Sequence, residues 1–192
     1  MNDNIQQKFF NYCETEDLNK VKKLLKDPRV DPSEYNNQAI RYSSKNGYTL
    51  VVKELLKDPR VDPSDWDNYD IRWSSKNGHL EVVKELLKDP RVDPSDVSNY
   101  AIRNASQYGH IDVVRELLKD PRVDPSDYSN YAIKHSSENG HSDVVYELLK
   151  DSHIDKQGLL DSDINDELRK EILEYMSEVR NESIDKVLDT DI

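Results

Sequence analysis

The sequence predicts an all-α solenoid of stacked helix-turn-helix repeats with capping helices at both ends. The string Lys-Asp-Pro-Arg-Val-Asp-Pro-Ser begins at Lys26, Lys57, Lys88 and Lys119, a period of 31 residues. A glycine recurs at one place in each unit, and apolar residues follow it at helical spacing. A fixed period of this length is typical of repeat architectures, in which each unit buries its apolar side against the next unit.

Each unit divides into two predicted helices. The segment from Tyr69 to Ser75 predicts the first helix, and Asn68 before it is a favoured N-cap residue. Equivalent asparagines are Asn37, Asn99 and Asn130. Gly78 predicts the end of this helix, because glycine adopts a left-handed conformation without steric cost. The second helix carries two apolar rows, formed by Val82, Val83, Leu86 and Leu87, and it stops before Pro90.

The period also sets the domain boundaries. We expect an N-terminal capping repeat over residues 1–32, and a C-terminal capping helix with an acidic tail over residues 158–192. Between them lie four repeats, at residues 33–64, 65–95, 96–126 and 127–157. The C-terminal helix is predicted near residues 163–180, with one apolar face formed by Leu168, Ile172, Tyr175, Met176 and Val179.

Charge and cysteine content limit the classes of partner and compartment. The chain of 192 residues has a formal net charge of −12. Such a surface disfavours phosphate backbones and anionic lipids, so we expect neither nucleic acid nor a membrane as partner. A basic patch on a partner protein would suit this charge. The single cysteine, Cys13, forms no internal disulfide, and no secretory signal is visible, so we expect a cytoplasmic protein.

The stretch from Asn77 to Leu87, with the sequence Asn-Gly-His-Leu-Glu-Val-Val-Lys-Glu-Leu-Leu, resembles the turn and second helix of the ankyrin repeat family. Gly109-His110 and Gly140-His141 repeat its start. The resemblance covers about residues 5–157, and its short, proline-containing loops are similar to those of ankyrin proteins in giant DNA viruses. It implies a module that binds other proteins through a concave face of loop tips and first helices, without cofactors. It also implies a viral protein that acts on a host target in the host cytoplasm.

Three features depart from the family pattern. Variants of Tyr-Ala-Ile-Arg replace the family's Thr-Pro-Leu-His, and Pro59, Pro90 or Pro121 replaces the glycine after the second helix. Each unit is also shorter than usual. We therefore expect shortened loops on an otherwise conserved stack of helices.

Residues with catalytic or metal-binding potential recur with the scaffold. His79, His110 and His141 occur once per repeat, roughly 10 Å apart in a stack, which is too far for shared ligation of a metal ion. The serine pairs beginning at Ser43, Ser74 and Ser136 are interpreted as small residues that let helices approach closely. We predict no catalytic residue, no cofactor and no metal site, because an enzyme needs groups that converge in one pocket.

The positions that differ between otherwise equal repeats are the candidate binding site, because the scaffold does not dictate them. The variable loop-tip residues are Tyr35, Trp66, Val97 and Tyr128, and those of the first helix are Tyr42, Trp73, Asn104 and His135. Variable residues near the helix ends include Lys45, Lys76, Gln107, Tyr108 and Glu138. Tyr and Trp are enriched among residues that dominate binding energy. We predict an acidic concave face with Tyr35, Trp66, Trp73 and Tyr128 as anchors.

Several alternatives remain open at this point. Tyr42 and Trp73 either contact a partner or fill grooves between repeats. The C-terminal segment could link a bound target to ubiquitin-ligase machinery, as F-box-like segments do in poxvirus ankyrin proteins, although no proline-led F-box pattern is present. Self-association through an exposed end is a third possibility, against our expectation of a monomer.

Overall fold

A computed structural model describes the backbone of residues 5–190 and the side chains of residues 5–181. Side chains of the predicted acidic tail beyond Asn181 lie outside these residues. All regular secondary structure in the described chain is helical. The helices are α1 (Ile5–Glu14), α2 (Leu18–Leu24), α3 (Glu34–Asn46), α4 (Thr49–Leu55), α5 (Asp65–Lys76), α6 (Leu80–Leu86), α7 (Asp96–Gln107), α8 (Ile111–Leu117), α9 (Asp127–Glu138), α10 (Ser142–Leu149), α11 (Lys156–Leu160) and α12 (Asp166–Thr190).

The predicted solenoid of stacked helical repeats is confirmed. Helices α3 to α10 form successive antiparallel pairs, with α1 and α2 before them and α11 and α12 after them. The first helices of neighbouring repeats pack more closely together than the second helices do. We call the side of the stack that carries the first helices the concave side, after the concave face that the resemblance implies.

Each repeat places the same apolar residues in one continuous core. The buried isoleucine of the first helix recurs as Ile40, Ile71, Ile102 and Ile133. The buried pair of valines in the second helix begins at Val51, Val82, Val113 and Val144. A loop valine closes each layer, at Val30, Val61, Val92 and Val123. Because every layer buries its apolar side chains against the next layer, stability is shared between neighbours.

The glycine after each first helix has the predicted left-handed conformation, with φ of 75° at Gly78. Packing of the following repeat also requires a residue without a Cβ atom here, because the ring of His110 lies directly against Gly78. A Cβ atom on Gly78 would lie 2.7 Å from Nδ1 of His110. The other ring nitrogen of His110 lies 3.0 Å from the backbone oxygen of Lys76. The histidines thus hold adjacent repeats together.

The asparagine that was predicted as the N-cap of each first helix does not cap it, so that prediction is wrong; it lies at a left-handed kink inside the range given for the helix. Asn37, Asn68 and Asn99 are buried and have left-handed backbones, with φ between 55° and 57°. The side-chain oxygen of Asn68 accepts the backbone N–H of Asp93 at 2.8 Å, and its amide donates to Asp96 at 2.8 Å. The side chain bonds to the next repeat instead of its own helix, because the left-handed conformation that asparagine tolerates directs it there.

This asparagine ends a left-handed turn of three residues. In the second repeat the turn consists of Trp66, Asp67 and Asn68, with φ of 54°, 55° and 55°. The backbone N–H of Asn68 closes it by donating to the carbonyl of Ser64 at 2.9 Å. Left-handed geometry is costly for residues other than glycine, so the turn depends on the bonds around it.

Helix α12 covers the C-terminal end of the stack by packing on α9 and α10. Leu168 and Ile172 of its predicted apolar face are buried, and Tyr175 and Met176 are half-buried. Val179 is exposed, contrary to the prediction, because it lies farther along the helix than this packed segment. Ser137 donates a hydrogen bond of 2.8 Å to the buried carboxylate of Glu171.

We expect Gly78→Ala to destabilise the protein more than Gly140→Ala does. Both substitutions force alanine into a left-handed conformation, at a cost of about 1 to 2 kcal/mol. Only Gly78 has a histidine ring against it, whereas no atom lies within 4 Å of a Cβ on Gly140. Urea unfolding followed by circular dichroism measures the difference, and equal losses would contradict the proposed histidine contact.

We expect Asp70→Ala to stabilise the protein at neutral pH. Asp70 is buried where the other repeats have Ala39, Ala101 and Ala132, and its Oδ1 atom has no partner among the described residues. Burial raises the pKa of Asp70 well above its ordinary value. Leaving such a group buried costs about 2 kcal/mol or more, which the substitution removes.

The pH dependence of this gain has a defined sign. A carboxyl whose pKa is raised by folding contributes stability below its unfolded pKa of about 4 and loses it as pH rises. The advantage of Asp70→Ala over wild type should therefore be small at pH ~4 and grow toward pH ~7, in chemical denaturation at each pH. Asp70→Asn should lack the pH dependence while still burying a polar group, and an advantage independent of pH would contradict a raised pKa.

Candidate protein-binding surface

The predicted loop-tip residues project from the left-handed turns and are exposed. The exposed fraction is 61% for Tyr35, 52% for Trp66, 41% for Val97 and 63% for Tyr128. Each is the first residue of its turn, and in the first three turns the asparagine two residues later bonds to the next repeat while the tip side chain faces solvent. The conformation of the turn therefore determines the exposure of these residues.

In the first three repeats, an arginine of the first helix binds the left-handed turn, and two of these arginines also contact a tip of the next repeat. The guanidinium of Arg72 donates two hydrogen bonds of 2.7 Å to the carbonyls of Trp66 and Asp67, within the left-handed turn of its own repeat. Arg41 and Arg103 make the equivalent bonds in their repeats. In addition, Arg41 lies 4.1 Å from the ring centroid of Trp66, one repeat further on.

Arg103 lies in the same way 4.5 Å from the ring of Tyr128. Trp66 and Tyr128 therefore pack against an arginine on one side and face solvent on the other. The ring of Tyr35 instead neighbours Phe10 of the N-terminal cap, with 5.6 Å between ring centroids. All three rings are supported by the scaffold and retain exposed surface for a partner.

Trp73 lies at the centre of a second cluster, on the first helices. Its ring stacks on Tyr69 with 5.5 Å between centroids, and it is half-buried. The ammonium groups of Lys45 and Lys76 lie 5.1 Å and 4.8 Å from the centroid of the Trp73 ring. Lys76 also lies 5.5 Å from the ring of Tyr108. Three repeats thus contribute to one cluster of rings and cations.

The other predicted site residues lie around this cluster. Tyr42 is 37% exposed and tilts against Tyr48, and Tyr108 is 48% exposed. Gln107 is half-buried and accepts a hydrogen bond of 3.0 Å from Tyr131. Glu138 is exposed in the last repeat, away from the tryptophan.

The concave side is not uniformly acidic, which corrects our expectation from net charge. The loop tips carry acidic residues, namely Glu34, Asp65, Asp67, Asp96 and Asp127. The middle and end of the first helices carry instead the basic residues Arg41, Lys45, Arg72, Lys76, Arg103 and Lys134. Much of the negative charge lies elsewhere, since residues 158–192 contain eleven Asp and Glu against four Lys and Arg. Net charge therefore does not describe this surface.

The described residues contain no group of three or more His, Cys, Asp or Glu side chains that could hold a metal ion. The thiol of Cys13 is buried, and burial raises its pKa to about 12. A thiol with such a pKa stays protonated and is a poor nucleophile. Within residues 5–190, no helix combines the length and the apolar character that crossing a bilayer requires.

The fold and this surface define a helical repeat protein, and the sequence identifies the family. Residues 71–158 match the sequence profile of ankyrin repeats, in three copies. Residues 71–158 are therefore ankyrin repeats, a family whose members generally bind other proteins and are typically non-catalytic. Comparison with curated proteins gives no significant match.

Sequence reasoning missed the role of the arginines. It noted their recurrence but assigned them no contact. Their spacing contained a signal, because each lies five residues after the middle of a left-handed turn and one period from the next arginine. Without the conformation of the turn, nothing indicated that its carbonyls point toward the guanidinium.

We expect Arg41→Ala to loosen the first turn and release the ring of Trp66. Loss of the two hydrogen bonds should cost about 1 kcal/mol in the free energy of unfolding. The fluorescence of Trp66, isolated in a Trp73→Phe background, should shift toward that of a solvated indole. Lys53→Ala is the control, because its partly exposed ion pair with Glu85, which Lys88 also pairs with, should change stability by no more than about 0.5 kcal/mol. An unchanged Trp66 spectrum would contradict the stacking of Arg41 on this ring.

Proposed function

We propose that this protein is a non-catalytic binding module that holds a partner protein on its concave side, in the cytoplasm of a host infected by a giant DNA virus. The main support for binding on this side is a set of exposed aromatic rings at positions that differ between repeats. Tyr35, Trp66, Tyr108 and Tyr128 are each close to half exposed or more. Large rings held by their neighbours lose little conformational freedom on binding, which makes them effective anchors.

The cytoplasmic part of the proposal is supported by the cysteine chemistry. The single cysteine is buried and unpaired, as suits a reducing compartment. The viral part rests on the short repeats with their proline-containing loops. We propose that the protein is a monomer and that one partner binds its concave side. A molecular mass in solution that rises with protein concentration would argue instead for self-association.

The adaptor alternative receives less support from the packing of the C-terminal helix. Leu168 and Ile172 of α12 are buried against the last repeat. A second protein could use that apolar face only by displacing α12 from the stack. The described part of α12 therefore serves better as a cap than as a recruiting segment.

Affinity capture from a host-cell lysate tests the binding surface. We expect wild type to retain a partner that Trp66→Ala/Tyr128→Ala and Trp73→Ala/Tyr108→Ala each retain at least about tenfold less, since loss of a central aromatic anchor costs about 2 kcal/mol or more. Circular dichroism and thermal melting confirm that the variants are folded.

The matched control is Leu50→Ala, because Leu50 is an exposed apolar residue on a second helix, away from the concave side. It should capture the partner as well as wild type does. Equal capture by all variants would refute the proposed surface, and loss of capture only with Leu50→Ala would place binding on the opposite side.

A further inference from the structure

We infer that the partner presents an acidic peptide segment with an aromatic or apolar residue, and that the basic helix row binds this segment. The basic helix row is the set Arg41, Lys45, Arg72, Lys76, Trp73 and Tyr108. The inference deepens the proposed function and rests on it. It also reverses the expectation from net charge, by which the partner would offer a basic patch.

The lysines on the two sides of the stack differ in how their charge is balanced. On the second helices, Lys53 lies 3.3 Å from Glu85, and Lys84 lies 2.8 Å from Glu81. The lysines that follow these helices are paired in the same way, at Lys57, Lys88, Lys119 and Lys150. This side of the stack neutralises its own cations.

Within the described chain, the cations of the basic helix row are not paired with carboxylates. Among the described residues, neither Lys45 nor Lys76 has a carboxylate within 4.0 Å. Both ammonium groups lie instead over the ring of Trp73. Arg41 and Arg72 donate to backbone carbonyls, which do not cancel their charge. The cations of the row therefore form no ion pair within 4.0 Å among the described residues, and they lie beside exposed rings.

An acidic peptide segment would supply the carboxylates that this row lacks. Carboxylates can accept charge-assisted hydrogen bonds from Lys45 and Lys76 while both ammonium groups stay near the ring of Trp73. A shallow depression of about 280 Å³, lined by Gln38, Arg41, Tyr42, Lys45 and Tyr69, adjoins the row. The rings of Tyr42 and Tyr69 in its lining offer apolar surface to an aromatic or branched side chain. Charge and shape together select an acidic peptide with one such residue.

Single-stranded nucleic acid is the other ligand that basic and aromatic residues can bind. The acidic loop tips argue against it. Asp65, Asp67 and Asp96 border the row on one side. A strand that crosses several repeats would place its phosphates beside these carboxylates, whereas a peptide can present a basic or neutral residue there.

Selection from a random displayed peptide library tests the inference without a known partner. We expect wild type to enrich peptides that combine Asp or Glu with an aromatic or branched apolar residue. The best synthetic peptide should change the fluorescence of Trp73 in a Trp66→Phe background, because these are the protein's two tryptophans. The affinity of this peptide for the protein should fall as the salt concentration is raised. Replacing the Asp and Glu residues of the peptide by Asn and Gln should weaken its binding about tenfold or more.

Charge reversal at the row provides the decisive comparison. Lys45→Glu/Lys76→Glu should weaken the peptide about tenfold or more, whereas Lys57→Glu/Lys88→Glu, with the same net charge on the opposite side, should not. If the first variant fails to fold, the salt dependence of wild type remains a test. Enrichment of neutral or basic peptides, or displacement of the peptide by oligothymidylate, would overturn the inference.

These results are separable from those of the proposed function. A partner captured through the aromatic residues and unaffected by reversal of Lys45 and Lys76 would overturn the acidic ligand and leave the binding surface in place. No partner and no enriched peptide would overturn both.

Discussion

The stack depends on one amide side chain per repeat that satisfies the backbone of the next repeat. Asn37, Asn68 and Asn99 each accept an N–H and donate to a carboxylate across the boundary between repeats. In the N-terminal cap, Gln6 makes the equivalent pair of bonds with the backbone of Asp31. These buried bonds offset the cost of the left-handed conformation that directs the asparagines, because leaving such groups unpaired would cost more.

The same conformation arranges the surface. Because three successive residues of the turn are left-handed, its first side chain faces solvent while its carbonyls face the arginine of the first helix. That arginine then supports a ring in the following repeat. Structural and exposed residues therefore alternate along the concave side, and neighbouring repeats fix the position of each exposed ring. A partner meets a surface that is largely ordered before binding.

The periodic features of the fold could be predicted from the sequence, whereas features set by contacts between repeats could not. The period, the glycine ends and the buried valine pairs follow from local chemistry, and the structure confirms them. Asparagine favours both N-caps and left-handed turns, so sequence alone could not decide its role. Exposure of Trp66 and Tyr128 was predicted, but their packing on arginines was not. Net charge did not predict the basic residues of the first helices, because it averages over a strongly acidic C-terminal segment.

In the last repeat, two groups equivalent to those that contact the next repeat elsewhere make no such contact among the described residues. The side-chain oxygen of Asn130 has no partner, and no ring lies against Gly140, although both residues hold the geometry of their counterparts. A duplicated unit inserted between this repeat and the cap of α11 and α12 would meet both groups already in position. The architecture is thus open to lengthening by recombination between its own near-identical segments, one layer at a time. The reach of the concave side can change in evolution without redesign of the layers that already exist.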